Sequence, residues 1–429
     1  MKPKYDIIVA GCGCAGFAAA VQAARLGKSV LLVEKNGMPG GILTVGGNND
    51  IAQFSAYGRQ IIAGIGWEYV KRLESQGAAV IPDQTRTDVP HWHLGVRVNI
   101  PMAAAVMDEM LLESGVDLCY EQFVCDARTE PDGDGRRIRS IRIATKSGLR
   151  ECSADTWIDC TGDGDLSVFA GADAMCGEPD ESGTAFQPGT VRAFLRGTLS
   201  DAQCQKVDAA LARAIADGTL RASDTKNSSI RTMLASHYNN VNHISRFNGA
   251  DSDEKTRADI EGRQCVARLF RVLRSAGIDP DLESMSPETA VRESRRIVCD
   301  TCITAGDYLR AARYPDGVCH AFYPIDLHRD GTAPIRQVFL SGGRVPSIPL
   351  SAMTVRGLTN LFVAGRCISS DRLANSAIRV KASCMAMGQA CGAAAALACA
   401  QNGGRTRSLP LPLLRQTLAA HGAIVPDFA

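Results

Sequence analysis

The sequence lacks an excess of charge of either sign. Its 47 lysines and arginines nearly match its 46 aspartates and glutamates, so no overall attraction to nucleic acid or to an anionic membrane is indicated. An apolar run of about 18 residues, which a spanning helix needs, is also missing. The short apolar run Ile7–Ala10 leads straight into a glycine-rich turn, which is not typical of a signal peptide. We expect no nucleic-acid partner, no membrane partner and a cytoplasmic location.

Cysteine pairs at metal-site spacing are scarce, although the chain has 16 cysteines. Cys299 and Cys302 form one C-x-x-C, but no second pair stands at zinc or iron–sulfur spacing. We therefore expect no metal site, while a dithiol role for this pair stays open. The scattered positions of the other cysteines are typical of small buried residues in a reducing compartment.

The N-terminal segment has the pattern of a βαβ unit. Residues 5–10 are predicted to form a buried strand, residues 14–26 an alanine-rich helix, and residues 29–33 a second buried strand. Gly27 is placed where a helix commonly ends. This order predicts a parallel sheet of the Rossmann type.

The turn inside this unit reads G-x-G-x-x-G, and an acid follows at the end of the second strand. Gly11 permits the tight turn, Gly13 lets backbone amides approach a pyrophosphate, and Gly16 brings helix and strand together. The helix N-terminus adds amide groups and its dipole. Glu34 follows at roughly the spacing of about 20 residues expected for an acid that binds a ribose hydroxyl. The pattern predicts a dinucleotide site and does not by itself separate FAD from NAD.

With 429 residues, the chain is too long for one compact core, and we expect two domains that share a cleft. The α/β pattern fades after residue 165 and returns near residues 360–366. We predict a discontinuous Rossmann-like domain, residues 1–165 and 351–402, and an inserted α+β substrate or cap domain, residues 166–350. Residues 403–429 are interpreted as a C-terminal tail.

Several separated blocks resemble the FAD-dependent oxidoreductases of the glutathione-reductase/fumarate-reductase structural group. They are the N-terminal fingerprint, Asp159-Cys-Thr-Gly-Asp-Gly-Asp165 and Val363-Ala-Gly-Arg-Cys-Ile-Ser369, with shorter matches at residues 258–263, 292–296 and 323–328. The resemblance runs from about residue 4 to 400 and implies FAD as the cofactor. A second strand–G-x-G-x-x-G–helix unit is absent from the sequence, so we do not expect a dedicated NAD(P)H domain.

The resemblance implies FAD-binding roles for residues along the whole chain. Those expected near the pyrophosphate, ribose and adenine are Gly11, Gly13, Cys14, Ala15, Gly16, Glu34, Lys35, Val124, Thr161, Gly162 and Asp163. Those expected near the ribityl chain and the flavin are Gly40, Gly41, Thr44, Gly365, Arg366, Ile378, Arg379 and Val380. Arg379 and the N-terminus of the last helix would stabilise negative charge on a reduced flavin. The other interpretation of this glycine- and alanine-rich helix is that it only packs closely against the sheet, and the two interpretations are compatible.

The catalytic candidates are His328, Asp326, Tyr323 and His243, together with Arg379. A histidine titrates near neutral pH and is suited to accept a proton. The alternative is that the polar groups of residues 323–328 only satisfy one another. Asn48 and Asn49 are further candidates for binding substrate oxygen.

A cluster of arginines offers a second pair of alternatives. If Arg292 and Arg296 lie one helical turn apart, the cluster with Arg295 would present one face that grips a carboxylate. The other interpretation is a structural ion-pair network with neighbouring glutamates.

The resulting hypothesis is an FAD-dependent oxidoreductase that moves hydride between a small organic substrate and flavin N5. An electron-transfer or reductase subunit of a larger redox complex is one alternative, and a non-redox flavoprotein is another. The substrate, the direction of reaction, the electron acceptor or donor, and assembly into a homo-oligomer stay open.

Overall fold

The computed structural model describes residues 2–180, 183–196, 199–225, 242–279, 281–329 and 335–427. It is a mixed α/β structure built around one parallel-stranded sheet. The Rossmann-like α/β fold predicted from the sequence is confirmed.

The helices of the described residues are numbered in chain order. They are α1 (Cys14–Arg25), α2 (Ile65–Ser75), α3 (Ile100–Glu113), α4 (Asp165–Phe169), α5 (Asp201–Ala216), α6 (Ser252–Ser275), α7 (Ala305–Leu309), α8 (Arg372–Ile378), α9 (Lys381–Gln401) and α10 (Leu411–Ala420).

The strands are numbered in the same way. They are β1 (Lys4–Ala10), β2 (Val30–Val33), β3 (Asp50–Ile51), β4 (Ser55–Ala56), β5 (Arg59–Gln60), β6 (Ala79–Val80), β7 (Val96–Val98), β8 (Asp117–Cys119), β9 (Phe123–Asp132), β10 (Gly135–Thr145), β11 (Gly148–Asp159), β12 (Ala174–Cys176), β13 (Glu178–Asp180), β14 (Gly183–Ala185), β15 (Ala193–Arg196), β16 (Asp281–Met285), β17 (Arg295–Ile297), β18 (Gly317–His320), β19 (Ile325–Leu327), β20 (Arg336–Val338), β21 (Ser347–Pro349) and β22 (Leu361–Val363).

The central sheet has the order β8-β2-β1-β11-β10-β9, and β22 also pairs with β11. β8, β2, β1, β11 and β22 are parallel, whereas β9 and β10 are antiparallel additions. β11 is long enough to take part in both kinds of pairing. Its first half pairs with β10, and its second half lies between β1 and β22.

The carboxyl ends of the parallel strands meet at one edge of the sheet. β1 leads into Gly11, β2 into Glu34, β11 into Thr161 and β22 into Gly365. β22 comes from the C-terminal part of the chain, yet its Val363 is in register with Asp159 of β11. Four blocks that are far apart in sequence therefore lie side by side, which is where α/β sheets bind their ligands.

The three elements predicted for the N-terminal βαβ unit are confirmed. β1, α1 and β2 agree with the predicted residues 5–10, 14–26 and 29–33 to within one residue at each end. β11, which precedes the Asp159–Asp165 block, starts at Gly148. Its first half is largely exposed, so it lacks the apolar signature of a buried strand.

The helical arrangement considered for Arg292 and Arg296 is wrong. Arg295 and Arg296 belong to strand β17, and Arg292 lies in the loop before it. β17 pairs with β12, so tertiary pairing decides the conformation of this charged segment.

Helix α9 packs directly against α1 behind the sheet. A Cβ at Gly388 would lie 2.0 Å from the carbonyl oxygen of Ala15, and one at Gly392 would lie 2.3 Å from that of Ala19. The two helices approach so closely because both glycines lack side chains. By length and composition α9 could span a membrane, but 83% of its apolar window is buried inside the protein. It is a core helix.

The region between residues 166 and 350 contains small two-stranded sheets and its own apolar cluster. Helices α5 and α6 pack together, with Val207, Leu211, Cys265 and Leu269 buried between them. This is the segment predicted as the inserted domain, and its boundaries stay a prediction.

The segment interpreted as a C-terminal tail contains helix α10. Leu414 and Leu418, one turn apart, are 0% and 1% exposed and join the main core beside α9. The segment packs onto the core because these two leucines form one apolar face.

Replacing Gly388 by alanine should destabilise the protein because the new methyl group would overlap the backbone of Ala15. We expect a lower melting temperature and a loss of about 1–3 kcal/mol in the free energy of unfolding, the usual range for overpacking. Urea unfolding followed by circular dichroism measures this loss. The matched control is Gly306→Ala in α7, where the atoms nearest to the added Cβ are 3.7 Å from it. Equal effects of the two substitutions would contradict the close contact of α1 with α9.

Candidate active site

One long cavity follows the carboxyl edge of the sheet. Its volume is about 380 Å³, and it extends from Glu34 and Gly11, past Gly162, to Arg379 and His328. The N-termini of α1 and α9 both border it, through Cys14 and Lys381. The cavity therefore joins the nucleotide fingerprint to the predicted catalytic segment.

The fingerprint end of the cavity is lined by bare backbone. Gly11 has φ +90°, and a Cβ there would lie 2.5 Å from the carbonyl oxygen of Cys160. A Cβ at Gly16 would lie 1.8 Å from the carbonyl oxygen of Gly11. At Gly13, in contrast, a Cβ would meet nothing within 4 Å, and no side chain caps the N-terminus of α1 within the described structure. The first amides of α1 thus face open space, which suits an anion.

Glu34 is buried and fixes the shape of the turn. Its Oε2 accepts a hydrogen bond from the backbone N of Cys12 (2.7 Å), and its Oε1 accepts from the backbone N (2.9 Å) and the Nδ2 (2.7 Å) of Asn36. Burial raises the pKa of Glu34, although these hydrogen bonds oppose that shift. A carboxylate has room for about four such bonds, so Glu34 can also accept one from a ligand hydroxyl.

A smaller cavity adjoins this end of the cleft. It shares Gly11, Glu34, Lys35 and Thr161 with the main cavity and adds Val124 from β9. The structure therefore places Val124 beside the fingerprint, within the space predicted for an adenine.

Asp163 and Arg366 form a buried pair at the middle of the cleft. Arg366 Nη2 donates to Asp163 Oδ1 (2.6 Å), and its Nε and Nη1 donate to the carbonyl oxygens of Gly162 (2.9 Å) and Val291 (2.7 Å). Arg366, Lys35 and a hydrogen bond from Ser294 hold the pKa of Asp163 below its usual value despite burial. Arg366 lines the cavity, but its guanidinium is already hydrogen-bonded to the loop after β11 and stabilises that loop.

Four cationic side chains gather at the other end of the cavity. They are Arg192, Arg292, Arg379 and Lys381. Burial lowers the pKa of Lys381 to about 8, and burial together with the neighbouring Arg379 lowers the pKa of Arg292 to about 9. Burial of several cationic side chains beside one cleft is an environment that favours an anionic ligand.

His328 lies at this end within a chain of hydrogen bonds. Its Nε2 is 3.1 Å from Asp326 Oδ2, and its Nδ1 is 3.2 Å from His243 Nε2. Asp326 Oδ1 accepts a further bond from Gln337 Nε2 (3.1 Å). Burial and the charge of Arg292 lower the pKa of His328 to about 4, while Asp326 opposes the shift. The polar groups satisfy one another, and Asp326 and His328 also line the cleft.

Gln187 links this histidine to Arg379. Its Oε1 accepts hydrogen bonds from the backbone N of His328 and from Arg379 Nη2, both at 3.3 Å. The backbone N of Gln187 donates to Glu293 Oε2 (3.0 Å). Gln187 is 1% exposed, so it holds His328 and Arg379 in position from the protein interior.

The structure brings most of the predicted site residues to the main cavity. Those that line it are Gly11, Gly13, Cys14, Ala15, Glu34, Lys35, Gly40, Gly41, Thr161, Gly162, Asp163, Tyr323, Asp326, His328, Gly365, Arg366, Arg379 and Val380. Gly16, Thr44, Ile378 and His243 lie behind this lining. Thr44 Oγ1 donates to the carbonyl oxygen of Pro39 (2.5 Å), and Ile378 is fully buried.

The arginines of the 292–296 segment separate into two groups. Arg295 pairs with Asp165 (2.9 Å) and Arg296 with Glu293 (2.8 Å), as the ion-pair interpretation predicts. Arg292 instead lines the cavity, and its Nη1 donates to the carbonyl oxygen of Pro188 (2.5 Å).

Several cavity residues had no role in the sequence-based prediction. Lys381 follows the predicted 378–380 segment and starts α9, so its position at a helix N-terminus was a usable signal. Asp50 lies in the short strand β3, Trp92 in a 3₁₀ helix over His91–Leu94 and Arg192 in a loop, and none of them belongs to a motif. Only the folding of three distant segments brings them to the cleft.

Comparison with known protein families identifies this architecture. A family model described as FAD dependent oxidoreductase matches residues 6–418. The chain belongs to the FAD-dependent oxidoreductase family. FAD is therefore its cofactor, and a redox activity is the property that the family shares. No curated protein matches this FAD-dependent oxidoreductase.

Solved structures with a related arrangement are only distantly similar. Thermovibrio ammonificans THI4 has 16% identity and a TM-score of 0.30 over 40% of this chain and 64% of its own. BexE, from BE-7585A biosynthesis, has 15% identity and a TM-score of 0.46, and the match covers 97% of this chain and 66% of BexE. A geranylgeranyl bacteriochlorophyll reductase-like protein from Thermoplasma acidophilum has 12% identity and a TM-score of 0.44, and the match covers 97% of this chain and 82% of that protein. The oxidoreductase thus spans less than two thirds of the length of the first two.

The residues present fit FAD. The bare amides at Gly13 and the N-terminus of α1 suit a pyrophosphate, and Glu34 suits a ribose hydroxyl. At the opposite end, Val380 is the N-cap residue of α9, and no side-chain cap covers that helix's N-terminus in the described residues. The cavity is continuous between these two ends.

Gly13→Val should abolish tight FAD binding while leaving the fold intact. The backbone at Gly13 has φ −72°, which valine tolerates, and a Cβ added there would meet nothing within 4 Å. We expect FAD affinity to fall by about tenfold or more, because the pyrophosphate loses its approach to the amides. Fluorescence titration of the apoprotein with FAD measures this. Melting of the apoprotein should match wild type, and unchanged affinity would refute the placement.

The His328 cluster should make the protein's stability depend on pH. His328 has a lowered pKa in the folded state, so the unfolded chain binds the extra proton as pH falls from about 6.5 towards 4. Stability is therefore lost on acidification, by about 2 kcal/mol between pH 7 and pH 5 from this group alone. Urea unfolding at pH 7 and pH 5 should show that acidification costs the His328→Gln variant about 2 kcal/mol less unfolding free energy than it costs the wild-type protein. An identical loss in the two proteins would contradict a buried neutral histidine.

Proposed function

We propose that this protein oxidises a small organic molecule by removing hydride from a C–H bond and a proton from the neighbouring O–H or N–H. FAD, when bound, accepts the hydride at N5. The observation that supports this function is that His328 and Asp326 border the same cavity as the dinucleotide fingerprint. The electrons then pass to an acceptor outside the chain.

His328 is the proton acceptor in this proposal. Its pKa is low, so the imidazole is neutral at pH 7 and has a lone pair available. An ionised Asp326 only accepts hydrogen bonds, so His328 carries its hydrogen on Nε2 towards Asp326. Nδ1 then holds the lone pair, which contacts His243 Nε2 at 3.2 Å. In the proposal the substrate O–H or N–H replaces His243 as the partner of Nδ1, Nδ1 takes the proton, and Asp326 stabilises the imidazolium that forms.

His243 and Gln187 act as positioning residues. His243 contacts Nδ1 of His328 through its Nε2 at 3.2 Å and is 3% exposed. Gln187 holds the backbone of His328 and the guanidinium of Arg379 together. Both keep the base and the cationic group in a fixed relation to the cleft.

A cytoplasmic flavoenzyme acting on a small-molecule substrate is our proposal for the cellular setting. All sixteen cysteines are free thiols, which suits a reducing compartment. Burial raises the pKa of the Cys299 thiol, which makes it less reactive. Neither Cys299 nor Cys302 lines the cleft, so the C-x-x-C has no part in the proposed reaction.

Replacing His328 by glutamine should slow reduction of the bound flavin. Acids, alcohols and amines are screened for anaerobic bleaching of the visible flavin absorbance, and the active compound is then followed by stopped flow. We expect the variant's rate to fall about 100-fold or more, as for loss of a general base. His421→Gln, on the C-terminal segment outside the cavity, is the matched control and should behave as wild type.

Two outcomes would reject the proposed function. An unchanged bleaching rate in His328→Gln would remove the histidine from the reaction. Reduction by NADH or NADPH, with no compound in the screen bleaching the flavin, would instead indicate a reductase.

A further inference from the structure

An acid beside the N-terminus of α9 has an unused hydrogen-bond acceptor. Asp50 starts strand β3 and lines the cavity. Its Oδ1 is buried and has no hydrogen-bond partner among the residues that the structure describes. Burial raises the pKa of Asp50, although the charges of Lys381, Arg192 and Arg97 oppose the shift. A buried acceptor without a donor costs free energy, so a donor on a bound ligand is the partner to look for.

The position of this carboxylate is fixed from two sides. Lys381 Nζ donates to the backbone carbonyl oxygen of Asp50 (2.6 Å). The backbone N of Ala382 donates to the carbonyl oxygen of Ala52 (3.1 Å), so β3 and the residue after it are tied to the first turn of α9. On the other side lies Gly95, where a Cβ would be 2.0 Å from Asp50 Oδ1. The carboxylate occupies this space because Gly95 has no side chain.

Hydrogen-bond donors lie at the same end of the cavity. Lys381 lines the cavity, and its bond to the Asp50 carbonyl uses one of the three hydrogens of the ammonium group. Arg379 lines it too, and its buried Nε has no hydrogen-bond partner in the described part of the chain. The first amides of α9 are further donors, since no side chain caps them within the described structure. One acceptor therefore lies among several donors.

This arrangement is complementary to the pyrimidine edge of a flavin. That edge presents the C2 carbonyl oxygen, the N3–H and the C4 carbonyl oxygen, so one donor lies between two acceptors. The protein offers the reverse pattern, with the acceptor on Asp50 and the donors on Lys381, Arg379 and the amides of α9. The cavity runs from the fingerprint to this end, and the family's cofactor is FAD.

We propose that Asp50 recognises the flavin of FAD by accepting a hydrogen bond from its N3–H, while Lys381 and Arg379 donate to the flanking carbonyl oxygens. Asp50 is then a cofactor-binding residue and takes no proton from the substrate. The proposal concerns binding of the cofactor alone, so it does not depend on the oxidation proposed for His328.

The decisive experiment compares FAD with 3-methyl-FAD, in which a methyl group replaces the N3 hydrogen. Apoprotein is titrated with each flavin by fluorescence. The wild-type protein should bind FAD about tenfold or more tightly than 3-methyl-FAD, because the analogue cannot donate to the carboxylate. Asp50→Ala should bind FAD about tenfold more weakly than wild type and bind the two flavins within about threefold of each other.

The matched control is Asp155→Ala. Asp155 is a partly exposed acid that pairs with Lys4 (2.9 Å) outside the cavity, so this variant should keep the wild-type preference for FAD. If Asp50→Ala fails to fold, Gly95→Ala replaces it, because the new methyl group would displace the Asp50 carboxylate without removing its charge. Gly95→Ala should likewise lower the preference for FAD over 3-methyl-FAD.

A second measurement observes the hydrogen bond itself. FAD labelled with ¹⁵N at N3 is bound to the protein, and the N3–H proton is recorded by isotope-edited NMR. In the wild-type protein this proton should resonate downfield and exchange slowly with water, as a hydrogen bond to a carboxylate requires. In Asp50→Ala it should move upfield and exchange faster.

Three results would overturn the proposal. Equal affinity of the wild-type protein for FAD and 3-methyl-FAD would mean that N3–H has no acceptor. An Asp50→Ala variant that keeps the wild-type preference would assign N3–H to another group, even if both affinities fell together. Unchanged FAD affinity in Asp50→Ala would leave the carboxylate to a substrate or to water. Failure of the small-molecule screen to bleach the flavin would reject the proposed oxidation and leave these binding results unaffected.

Discussion

The whole site depends on one constraint, which is that backbone and not side chain fills the space between β1, α1 and β11. Gly11 and Gly16 approach neighbouring carbonyl groups so closely that any Cβ would collide with them. Gly13 stands between them and faces the cavity alone. This combination leaves the N-terminus of α1 without a side-chain cap towards the cavity, which is the arrangement that suits a diphosphate.

The second determinant is the return of the chain to this sheet after residue 350. β22 pairs with β11, and α9 then packs on α1 through Gly388 and Gly392. Because α9 is fixed in this way, its first residue, Lys381, lies at the far end of the cavity. One packing contact thus sets the distance between the two helix N-termini that border the cleft.

The electrostatics of the cleft differ between its two ends. At the fingerprint end, Asp163 and Arg366 compensate each other and Glu34 is held by amides. At the catalytic end, burial together with the charge of Arg292 holds the pKa of His328 low and keeps its imidazole neutral. The first end therefore has polar groups held in fixed positions, whereas the second has titratable groups with shifted pKa values, as functional sites commonly do.

The sequence by itself determined the strand–turn–helix unit and the presence of a dinucleotide site, because glycine spacing and the acid at Glu34 are local requirements of a dinucleotide. It also placed the segment from Tyr323 to His328 among the catalytic candidates. Only the tertiary structure decided that His243 contacts His328 and that Arg292, Trp92 and Arg192 line the same cavity. These contacts link loops and short strands that are far apart in the chain, and no local periodicity encodes such pairings.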